Sequence, residues 1–361
     1  MKDYEKKIDT LLRSASRFRQ FPVTKQDFNQ FIWFLYQYQP IDLWNLTRKS
    51  DLYIRAIISL LYAMEKEGLI SILPDGKLKL SRQGSAIGHH LNIGKSKALA
   101  EPKEKFGLRL TLKFKHILEV IKELHSSITP QNIYDQAPLL PEAAVYKAAY
   151  AIRRGDVSGK SVVCIGDDDL ISIILALSGA PRRVLAIDVD KYLLETIEEF
   201  SEKNHLGIET LRHDLRKPVP EKYRDNFDLF ITEPPDTVKG ISLFVSRGVE
   251  LLKKEPGLAG YCGISVTACP PLGLLEIQRN FDAMGLIVSE RLPKFSDYPP
   301  HRTELKHIEV PDCYDQFYPP QKIWYSADLL RIKTTRYLQP LFDGELRGNI
   351  ANYREDAKRF Q

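Results

Sequence analysis

Cysteine is scarce in this chain, and the cysteines present form no metal-binding or redox pattern. Four cysteines occur in 361 residues, and none belongs to a C-x-x-C motif or lies at ligand spacing from a histidine. A zinc site and a disulfide framework are therefore not indicated. We expect no bound metal and a reducing, cytoplasmic environment.

Long apolar runs and a strong excess of one charge are also missing. No stretch of eighteen apolar residues occurs, so we expect no membrane span, and the charged first residues are unlike a signal peptide. The net charge of +5 is too small to argue for nucleic-acid binding by itself. With 43% hydrophobic and 27% charged residues, the composition is that of a globular protein of about two domains.

What the sequence does contain is a run of three aspartates at the end of a strand pattern. The apolar run 162–165 ends at Gly166, the aspartates follow at once, a helical apolar pattern covers 170–177, and a second apolar run ends at Asp188. This order predicts a strand, a tight turn, a helix and a second strand. In a doubly wound sheet a ligand binds at the carboxyl ends of the strands, beside such a turn.

The charge of this turn is unusual for a nucleotide site. Turns that bind anionic groups favour glycine, because bare backbone N–H groups and a helix N-terminus suit anions. Here Asp167, Asp168 and Asp169 bring up to three negative charges to the same place. Since one aspartate is enough to cap the following helix, we expect the turn to bind a cationic ligand.

Helix and strand patterns alternate through the rest of this region. Together with the first two strands they predict an α/β, Rossmann-like sheet of seven strands, whose last two strands form an antiparallel edge. This outline resembles the class I S-adenosylmethionine-dependent transferases, that is, a methyltransferase-type sheet. The further predicted strands are 208–215, 227–231, 258–266, 286–291 and 323–332, and the predicted helices are 142–154, 191–205, 238–253 and 272–284.

Residues 1–125 are predicted to form a separate N-terminal domain with its linker. A helical pattern at 52–64 is followed by apolar segments within 69–80 that flank a Pro-Asp-Gly turn, which suits a β-hairpin. This order resembles a winged helix. The helix that would read DNA offers mainly Arg55 outside its apolar face, so a scaffold or dimerisation role is favoured over nucleic-acid binding.

The remaining boundaries follow from composition. The lysine-rich stretch 94–115 lacks periodicity and predicts a linker, residues 126–338 are predicted to form the Rossmann-like catalytic domain, and the polar C-terminal tail 339–361 is expected to fray.

The lead-in to the helix at 142–154 either lines the mouth of the site or is an ordinary helix start with polar caps. The lead-in residues concerned are Asp135, Gln136, Pro138 and Glu142.

Further acids fall at strand ends in the order that this fold uses them. We expect Asp188 to accept hydrogen bonds from ribose hydroxyls and Asp214 to bind an adenine amino group. The E-P-P-D motif at 233–236 follows the fourth strand, where nucleic-acid methyltransferases hold a polar group beside rigid prolines. With Gly166 at the first turn, Asp188, Asp214 and Glu233 are the candidate residues of a nucleoside pocket.

The charge of this pocket favours one cosubstrate over another. S-adenosylmethionine carries a carboxylate that the aspartates would repel, at a cost on the order of 1 kcal/mol or more. Decarboxylated S-adenosylmethionine and polyamines lack a carboxylate and are cationic. The sequence therefore favours aminopropyl transfer to a polyamine. An S-adenosylmethionine-dependent nucleic-acid methyltransferase and a non-catalytic regulator that binds a nucleoside remain alternatives.

These motifs together carry a resemblance to a known family. The G-D-D-D turn at 166–169, Asp188, the segment 213–220, the E-P-P-D motif at 233–236 and the N-terminal domain resemble the branched-chain polyamine synthases, the N(4)-bis(aminopropyl)spermidine synthases. The resemblance implies two aminopropyl transfers from decarboxylated S-adenosylmethionine, the co-substrate, to the central secondary amine of spermidine. The implied products are N(4)-bis(aminopropyl)spermidine and methylthioadenosine. It further implies no cofactor, and a homodimer.

The implied reaction assigns roles to the acids of the turn. The attacking nitrogen must be unprotonated, and its alignment with the carbon and sulfur of the cosubstrate supplies much of the rate. We expect Asp168 to lie beside this nitrogen, with Asp167 and Asp169 as catalytic neighbours.

Other residues are expected to bind the polyamine. Glu233 and Asp236 are candidate ligands of its amines, although Glu233 in place of a possible aspartate leaves the reach of this carboxylate open. The Tyr-, Asp- and Pro-rich stretch 295–320 is either a lid or a surface excursion. From it we expect Asp297 and Tyr298 to contact the cationic substrate, since cations bind to aromatic faces.

Overall fold

A computed structural model describes residues 2–18, 23–50, 52–91, 107–300 and 322–359. The described residues form an N-terminal unit of helices with a small sheet, and a larger unit in which helices cover both faces of a mostly parallel sheet. Within these ranges no helix is both long enough and apolar enough to cross a membrane.

The N-terminal unit combines five helices with a three-stranded antiparallel sheet in the order β1-β3-β2. The hairpin predicted within 69–80 is confirmed, because β2 pairs with β3 across the Pro-Asp-Gly turn. The winged-helix assignment stays a prediction. The elements are α1 (Lys2–Phe18), α2 (Lys25–Tyr38), β1 (Ile41–Asp42), α3 (Leu43–Lys49), α4 (Ile54–Lys66), β2 (Ile70–Ile72), β3 (Lys77–Leu80) and α5 (Arg82–His90).

Helix α4 lies at the centre of the N-terminal core. Nine of its residues are buried, and they include Ile57, Leu60 and Leu61, none of which is exposed. A helix that reads DNA must present one face to the major groove. The absence of nucleic-acid binding by this unit stays a prediction.

The larger sheet has seven strands in the order β6-β5-β4-β7-β8-β10-β9. The first five are parallel, and β10 runs antiparallel to both β8 and β9. The predicted Rossmann-like sheet with an antiparallel edge is confirmed. The strands are β4 (Ser161–Ile165), β5 (Arg183–Asp188), β6 (Glu209–Arg212), β7 (Leu229–Thr232), β8 (Ala259–Ile264), β9 (Leu286–Asp297) and β10 (Ser326–Thr334).

Helices pack on both faces of this sheet. The alternation of side chains along β4 divides the core, because Val162 and Cys164 pack into one hydrophobic cluster and Val163 and Ile165 into the other. The helices are α6 (Leu112–Ser127), α7 (Pro141–Arg153), α8 (Ile171–Ser178), α9 (Lys191–Lys203), α10 (Val238–Leu251), α11 (Pro271–Ala283) and α12 (Tyr353–Arg359).

Three predicted boundaries are wrong. Helix α6 begins at Leu112, inside the stretch predicted as a linker, where the side chain of Thr111 accepts a hydrogen bond from the backbone N–H of Phe114. Strand β6 ends before Asp214, which therefore lies in a loop. Strand β9 extends to Asp297, six residues beyond its predicted end.

Residues 339–359, the described part of the C-terminal tail, are not frayed, contrary to expectation. The carboxylate of Asp356 accepts a hydrogen bond of 2.6 Å from the backbone N–H of Val238, the first residue of α10. The hydroxyl of Thr237 donates to the carbonyl of Ile350. Because an unsatisfied helix N-terminus attracts a carboxylate, the tail caps α10 and packs beside the E-P-P-D loop.

The N-terminal unit docks against the antiparallel edge of the large sheet. The guanidinium of Arg48 donates to the carboxylate of Asp297 at 3.0 Å, and the backbone N–H of Ile54 donates to the carbonyl of Thr267 at 3.0 Å. This contact places the start of α4 next to the carboxyl ends of the parallel strands.

Candidate active site

A cavity of about 540 Å³ opens at the carboxyl ends of the parallel strands. Its walls come from the G-D-D-D turn, the loops after β5, β6 and β7, the start of α4 and the C-terminal tail. Six carboxyl-bearing residues line it: Asp135, Asp168, Asp188, Asp214, Glu233 and Asp236. Arg55 and Arg216 also line it, so acids outnumber arginines, and a cavity of this charge suits a cationic ligand.

Gly166 allows the first turn to pass close to the cavity. Its φ of +66° lies in the left-handed region, and a Cβ atom at this position would lie 3.0 Å from the ring of Phe244. A side chain here would be strained both in the backbone and against the ring. Gly166 itself lines the cavity, as predicted for a residue of the nucleoside pocket.

Asp167 is a structural residue of the turn. Its carboxylate accepts the backbone N–H of Ser172 at 3.2 and 3.3 Å, in the first turn of α8, and it is 1% exposed. Burial is the main cause that raises its pKa to about 7. Asp167 therefore serves α8 as a cap and is not among the residues that line the cavity, and its role as a catalytic neighbour stays a prediction.

Asp169 also points away from the cavity. One carboxylate oxygen accepts the backbone N–H of Leu139 at 2.7 Å, and the other lies 3.5 Å from Nζ of Lys147. Burial raises its pKa to about 6, although Lys147 acts in the opposite direction. Asp169 is not among the residues that line the cavity, and its role as a catalytic neighbour stays a prediction.

Asp168 is the residue of the three that lines the cavity. Its carboxylate accepts no hydrogen bond from any residue in the described ranges, and no salt bridge to a cation is found for it there. Burial, followed by the negative charges of Asp169 and Asp188, raises its pKa well above the ordinary value. The ionised form of such a carboxyl group binds a proton more tightly than an ordinary carboxylate does.

Asp188 lies across the turn from Asp168. Its carboxylate accepts the backbone N–H groups of Asp167 at 3.1 Å and Asp190 at 2.8 Å, and burial raises its pKa to about 6. These bonds fix the carboxylate at the cavity wall, where the sequence predicts a contact with ribose hydroxyls.

Asp214 lines the cavity from the loop after β6. Arg216 holds its carboxylate at 2.6 Å, and this hydrogen bond lowers the pKa of Asp214 below its ordinary value. Asp214 is therefore ionised and paired. Its predicted contact with an adenine amino group stays a prediction.

Glu233 is held by three donors. The ammonium of Lys147 bonds to Oε1, the hydroxyl of Ser296 donates to Oε1 at 2.8 Å, and the hydroxyl of Tyr298 donates to Oε2 at 3.3 Å. A Cβ atom on Gly263 would lie 1.5 Å from Oε2, so the carboxylate occupies the space that this glycine leaves open. The carboxylate of the E-P-P-D motif is therefore fixed rather than free to swing.

Asp236 is the last residue of the same motif. Its carboxylate accepts the backbone N–H of Ser265 at 2.9 Å and the hydroxyl of Tyr325, and burial raises its pKa to about 7. Its backbone N–H donates to the hydroxyl of Tyr353 at 3.3 Å, and that hydroxyl donates to Asp135 at 2.9 Å. The C-terminal tail thus connects two acids of the cavity.

Aromatic rings form much of the rest of the wall. The rings of Tyr298 and Tyr325 meet edge to face at 5.2 Å, and Trp324 meets Tyr325 at 5.4 Å. Rings with their faces near carboxylates bind ammonium groups through both charge and the π-system. The other aromatic residues of the lining are Tyr53, Tyr134, Phe244 and Tyr353.

Asp297, predicted to contact the substrate, and Glu142, for which lining the mouth of the site was one of two alternatives, are not among the residues that line the cavity. Asp297 lies outside the lining, because its carboxylate accepts from Arg48 at 3.0 Å and from the hydroxyl of Ser326 at 2.7 Å. Glu142 pairs with Lys122 at 3.2 Å on the surface of α7. The alternation along β9 explains the first case: Ser296 and Tyr298 reach Glu233, so Asp297 between them faces the opposite side.

Of the lead-in residues, Asp135 and Gln136 line the cavity, as one of the two alternatives predicted.

Three further residues of the site were not predicted from the sequence: Lys147, Tyr325 and Tyr353. Lys147 lies in an alanine-rich helix, where a single lysine ordinarily indicates an exposed position. Most of the stretch 295–320 predicted as a lid or surface excursion lies outside the described residues, as does Cys313.

In the part of the chain that the structure describes, no three His, Cys, Asp or Glu side chains are arranged to hold a metal ion. The sheet order, the antiparallel edge strands and a ligand cavity at the first turn define a Rossmann-like transferase of the class I methyltransferase type.

Comparison with known proteins places the chain within this class. The family model of the branched-chain polyamine synthase A C-terminal domain matches residues 115–358. The N(4)-bis(aminopropyl)spermidine synthase of Methanocaldococcus jannaschii is 32% identical over 82% of this chain and 84% of that protein. The synthase of the same name from Thermococcus kodakarensis is 31% identical over 81% of this chain and 84% of that protein.

A solved structure agrees with the sequence comparisons. The branched-chain polyamine synthase from Thermus thermophilus, in complex with N4-aminopropylspermidine and 5'-methylthioadenosine, superimposes with a TM-score of 0.79 at 25% identity. The alignment covers 96% of this chain and 98% of that chain. The chain belongs to the branched-chain polyamine synthase family, whose members are aminopropyltransferases.

Proposed function

We propose that this chain transfers aminopropyl groups from decarboxylated S-adenosylmethionine to the central secondary amine of spermidine. Two transfers give N(4)-bis(aminopropyl)spermidine and two molecules of methylthioadenosine. Family membership supports the reaction class. The observation that carries the proposal is the carboxylate of Asp168, which lines a cavity of carboxylates and aromatic rings and has no cation or hydrogen-bond donor of its own among the described residues.

Each transfer is a displacement at the carbon next to the sulfonium. The lone pair of the amine forms the N–C bond, the C–S bond breaks, and its electron pair stays on sulfur as the thioether of methylthioadenosine. The nucleophile must be unprotonated, although a polyamine nitrogen is mostly protonated at neutral pH. A carboxyl group whose pKa is raised is suited to accept that proton, and this is the role that we assign to Asp168.

The attacking nitrogen must lose one proton before each of the two transfers. The protonated secondary amine loses one proton before the first attack and becomes a protonated tertiary amine after it. This amine loses a second proton before the second attack, which gives a quaternary ammonium. Two protons are therefore released per quaternary product, and Asp168 must pass its proton to solvent between the transfers.

The remaining acids and rings are assigned to the charged parts of the ligands. Glu233 and Asp236 lie on the E-P-P-D loop and face the cavity, so they are placed to hold the ammonium ends of the polyamine. Aromatic faces such as those of Tyr298 and Tyr325 stabilise a cation by about 0.5–2 kcal/mol each. We assign Gly166, Asp188 and Asp214 to the nucleoside of the cosubstrate.

The test is incubation of the purified protein with spermidine and decarboxylated S-adenosylmethionine, followed by mass spectrometry of the polyamines and quantification of methylthioadenosine. We expect products heavier by one and then two aminopropyl groups, with one methylthioadenosine for each group added. A parallel incubation with S-adenosylmethionine and DNA or RNA is expected to yield no methylated base. Methylated nucleic acid without aminopropylated product would replace the proposal with the methyltransferase alternative.

We extend the proposal to the organisation of the chain. Residues 1–125 act as a supporting unit that contributes Tyr53 and Arg55 to the cavity, and 126–338 carry the reaction. The tail 339–361 completes the wall through Tyr353. A homodimer in the cytoplasm without nucleic acid is the state that we propose for the working enzyme, and light scattering of the purified protein tests the dimer.

A further inference from the structure

Lys147 is a buried cation that the displacement itself does not use. It lies on α7 and has no exposed surface. Alanines surround it on the buried face of this helix, at positions 143, 144, 148 and 151, and their small side chains let the helix approach the sheet. A fully buried ammonium requires charged partners, because burial without them is very costly.

The partners of Lys147 come from the two loops that flank Asp168. Its Nζ bonds to Oε1 of Glu233 in the E-P-P-D motif and lies 3.5 Å from the carboxylate of Asp169 in the G-D-D-D turn. One ammonium therefore connects α7, the end of β4 and the end of β7. Asp168 precedes Asp169 in the same turn but makes no hydrogen bond to Lys147, Asp169 or Glu233.

The other contacts of the two acids complete their neutralisation. Asp169 accepts a backbone N–H from Leu139, and Glu233 accepts hydroxyl groups from Ser296 and Tyr298. Each of these contacts stabilises the ionised form of the acid. Asp169 and Glu233 are thus held in fixed positions, while Asp168 accepts no hydrogen bond from the described residues and has the acids Asp169 and Asp188 as neighbours.

We propose that Lys147 is a positioning residue of the transfer reaction: by binding the carboxyl groups of Asp169 and Glu233, it leaves Asp168 as the acceptor for the proton of the attacking amine and aims Glu233 at an ammonium of the polyamine. The inference rests on the proposed function. Lys147 acts through these two acids and touches no reacting atom.

The electrostatics of the cluster agree with this assignment. Burial favours the neutral form of Lys147, but the charges of Glu233 and Asp169 outweigh it, so the pKa of Lys147 lies above its ordinary value. Lys147 also acts against the rise in the pKa of Asp169, which reaches about 6. The pKa of Asp168 is raised without any such opposing cation among its causes. Separated pKa values of this kind mark the acid that carries the proton.

The test compares Lys147→Met, Lys147→Arg and the double variant Lys147→Met/Asp169→Asn with wild type and with Asp169→Asn. For Lys147→Met we expect kcat to fall about 100-fold or more, while the dissociation constant for methylthioadenosine stays within about threefold of wild type. Lys147→Arg is expected to recover part of kcat, because it restores the charge.

The double variant separates positioning from folding. Because it lacks one buried anion as well as the buried cation, the double variant is expected to have a melting temperature near that of Asp169→Asn. Its kcat is expected to stay about 30-fold or more below that of Asp169→Asn, because Glu233 still lacks the ammonium of Lys147. This comparison holds even where Lys147→Met alone does not fold. If the double variant matches Asp169→Asn in both melting temperature and kcat, Lys147 is merely structural and the inference is overturned.

The wild-type assay distinguishes a failure of the inference about Lys147 from a failure of the proposed activity. Wild-type turnover that is matched by a folded Lys147→Met overturns this inference alone. A wild type that forms no aminopropylated spermidine under the same conditions overturns the proposed function, and the inference with it.

Discussion

The two ends of the large sheet contain buried and half-buried aspartates in opposite electrostatic states. At the amino ends of the parallel strands, Asp156 accepts from Arg331 at 2.7 Å, Lys333 at 3.1 Å and the hydroxyl of Tyr261 at 2.7 Å. Burial acts to raise the pKa of Asp156, but these hydrogen bonds outweigh it, and the pKa lies below its ordinary value. Asp228 at the same end behaves alike, with Lys253 at 2.6 Å.

At the carboxyl ends the balance is reversed. Burial and neighbouring acids raise the pKa of Asp168 well above its ordinary value, and burial raises that of Asp188 to about 6 and that of Asp236 to about 7. The residue type is the same at both ends, and the difference is that Asp168, Asp188 and Asp236 have no cation paired with them among the described residues, although Lys147 and Arg216 pair with other acids at this end. Paired acids hold the sheet together, whereas acids that the protein leaves without cations are available to a cationic substrate.

The largest expected effect comes from removing one acid at the carboxyl end. Asp168→Asn is expected to lower kcat about 1000-fold, because the attacking amine loses its proton acceptor. Since the side chain makes no hydrogen bond to the described residues, the fold and the binding of methylthioadenosine are expected to persist. Steady-state kinetics with calorimetry of nucleoside binding provides the measurement. Turnover near that of wild type would remove Asp168 from its role.

The matched change at the amino end has the opposite consequence. Asp156→Asn leaves Arg331 and Lys333 without their anion and is expected to lower the free energy of unfolding by about 3 kcal/mol. The expected kcat of the folded protein is that of wild type. Chemical denaturation checks the first expectation and kinetics below the melting range the second. A large loss of kcat with normal stability would show that the two ends are not divided as we describe.

The two ends also predict opposite dependences of stability on pH. A carboxyl group with a raised pKa holds its proton in the folded state at a pH where the unfolded chain has lost it, so stability falls as pH rises from about 4 to about 7. A group with a lowered pKa, such as Asp156, contributes stability that is lost only as pH falls through its folded pKa.

From this difference we expect the melting temperature of wild type to decrease between pH 5 and pH 8. In Asp168→Asn the decrease is expected to be smaller by a few degrees, because one repelled carboxylate is gone. Differential scanning calorimetry across this range provides the measurement. Parallel profiles for the two proteins would contradict the claim that Asp168 is destabilised by its surroundings.

The smallest effect is expected at Asp297, beside the site but outside it. Asp297→Asn weakens a partly exposed pair with Arg48, so we expect a loss of at most about 1 kcal/mol in stability and no change in the KM for spermidine. Tyr298→Phe, one residue along, removes a donor to Glu233 and is expected to raise that KM several-fold. Equal effects of the two changes on KM would contradict the alternation that separates them.

The sequence predicts the parts of the site that follow from local pattern. A strand that ends in glycine and three aspartates fixes the place of the turn, and strand ends place Asp188 and the E-P-P-D motif at the same edge. It does not reveal which aspartate faces the cavity, because the capping of α8 by Asp167 and the contact of Asp169 with Leu139 depend on neighbours distant in sequence.

Long-range contacts explain the residues that were missed. Lys147 reaches Glu233 across 86 positions of the chain, and no periodicity in α7 distinguishes a buried lysine from a surface one. Tyr353 and Asp356 lie in a polar segment without an apolar pattern. Their role depends on Asp135 and on the N-terminus of α10, which only the folded chain brings near.

The most direct test of the central claim is the exchange of protons when spermidine binds. Calorimetric titration at pH 6.5 with methylthioadenosine present, repeated in buffers of different ionisation enthalpy, counts those protons. Because the ammonium groups of spermidine favour the ionised form of acids such as Asp168 and Asp236, we predict proton release on binding. Binding without proton release, or no binding of spermidine, would contradict the account.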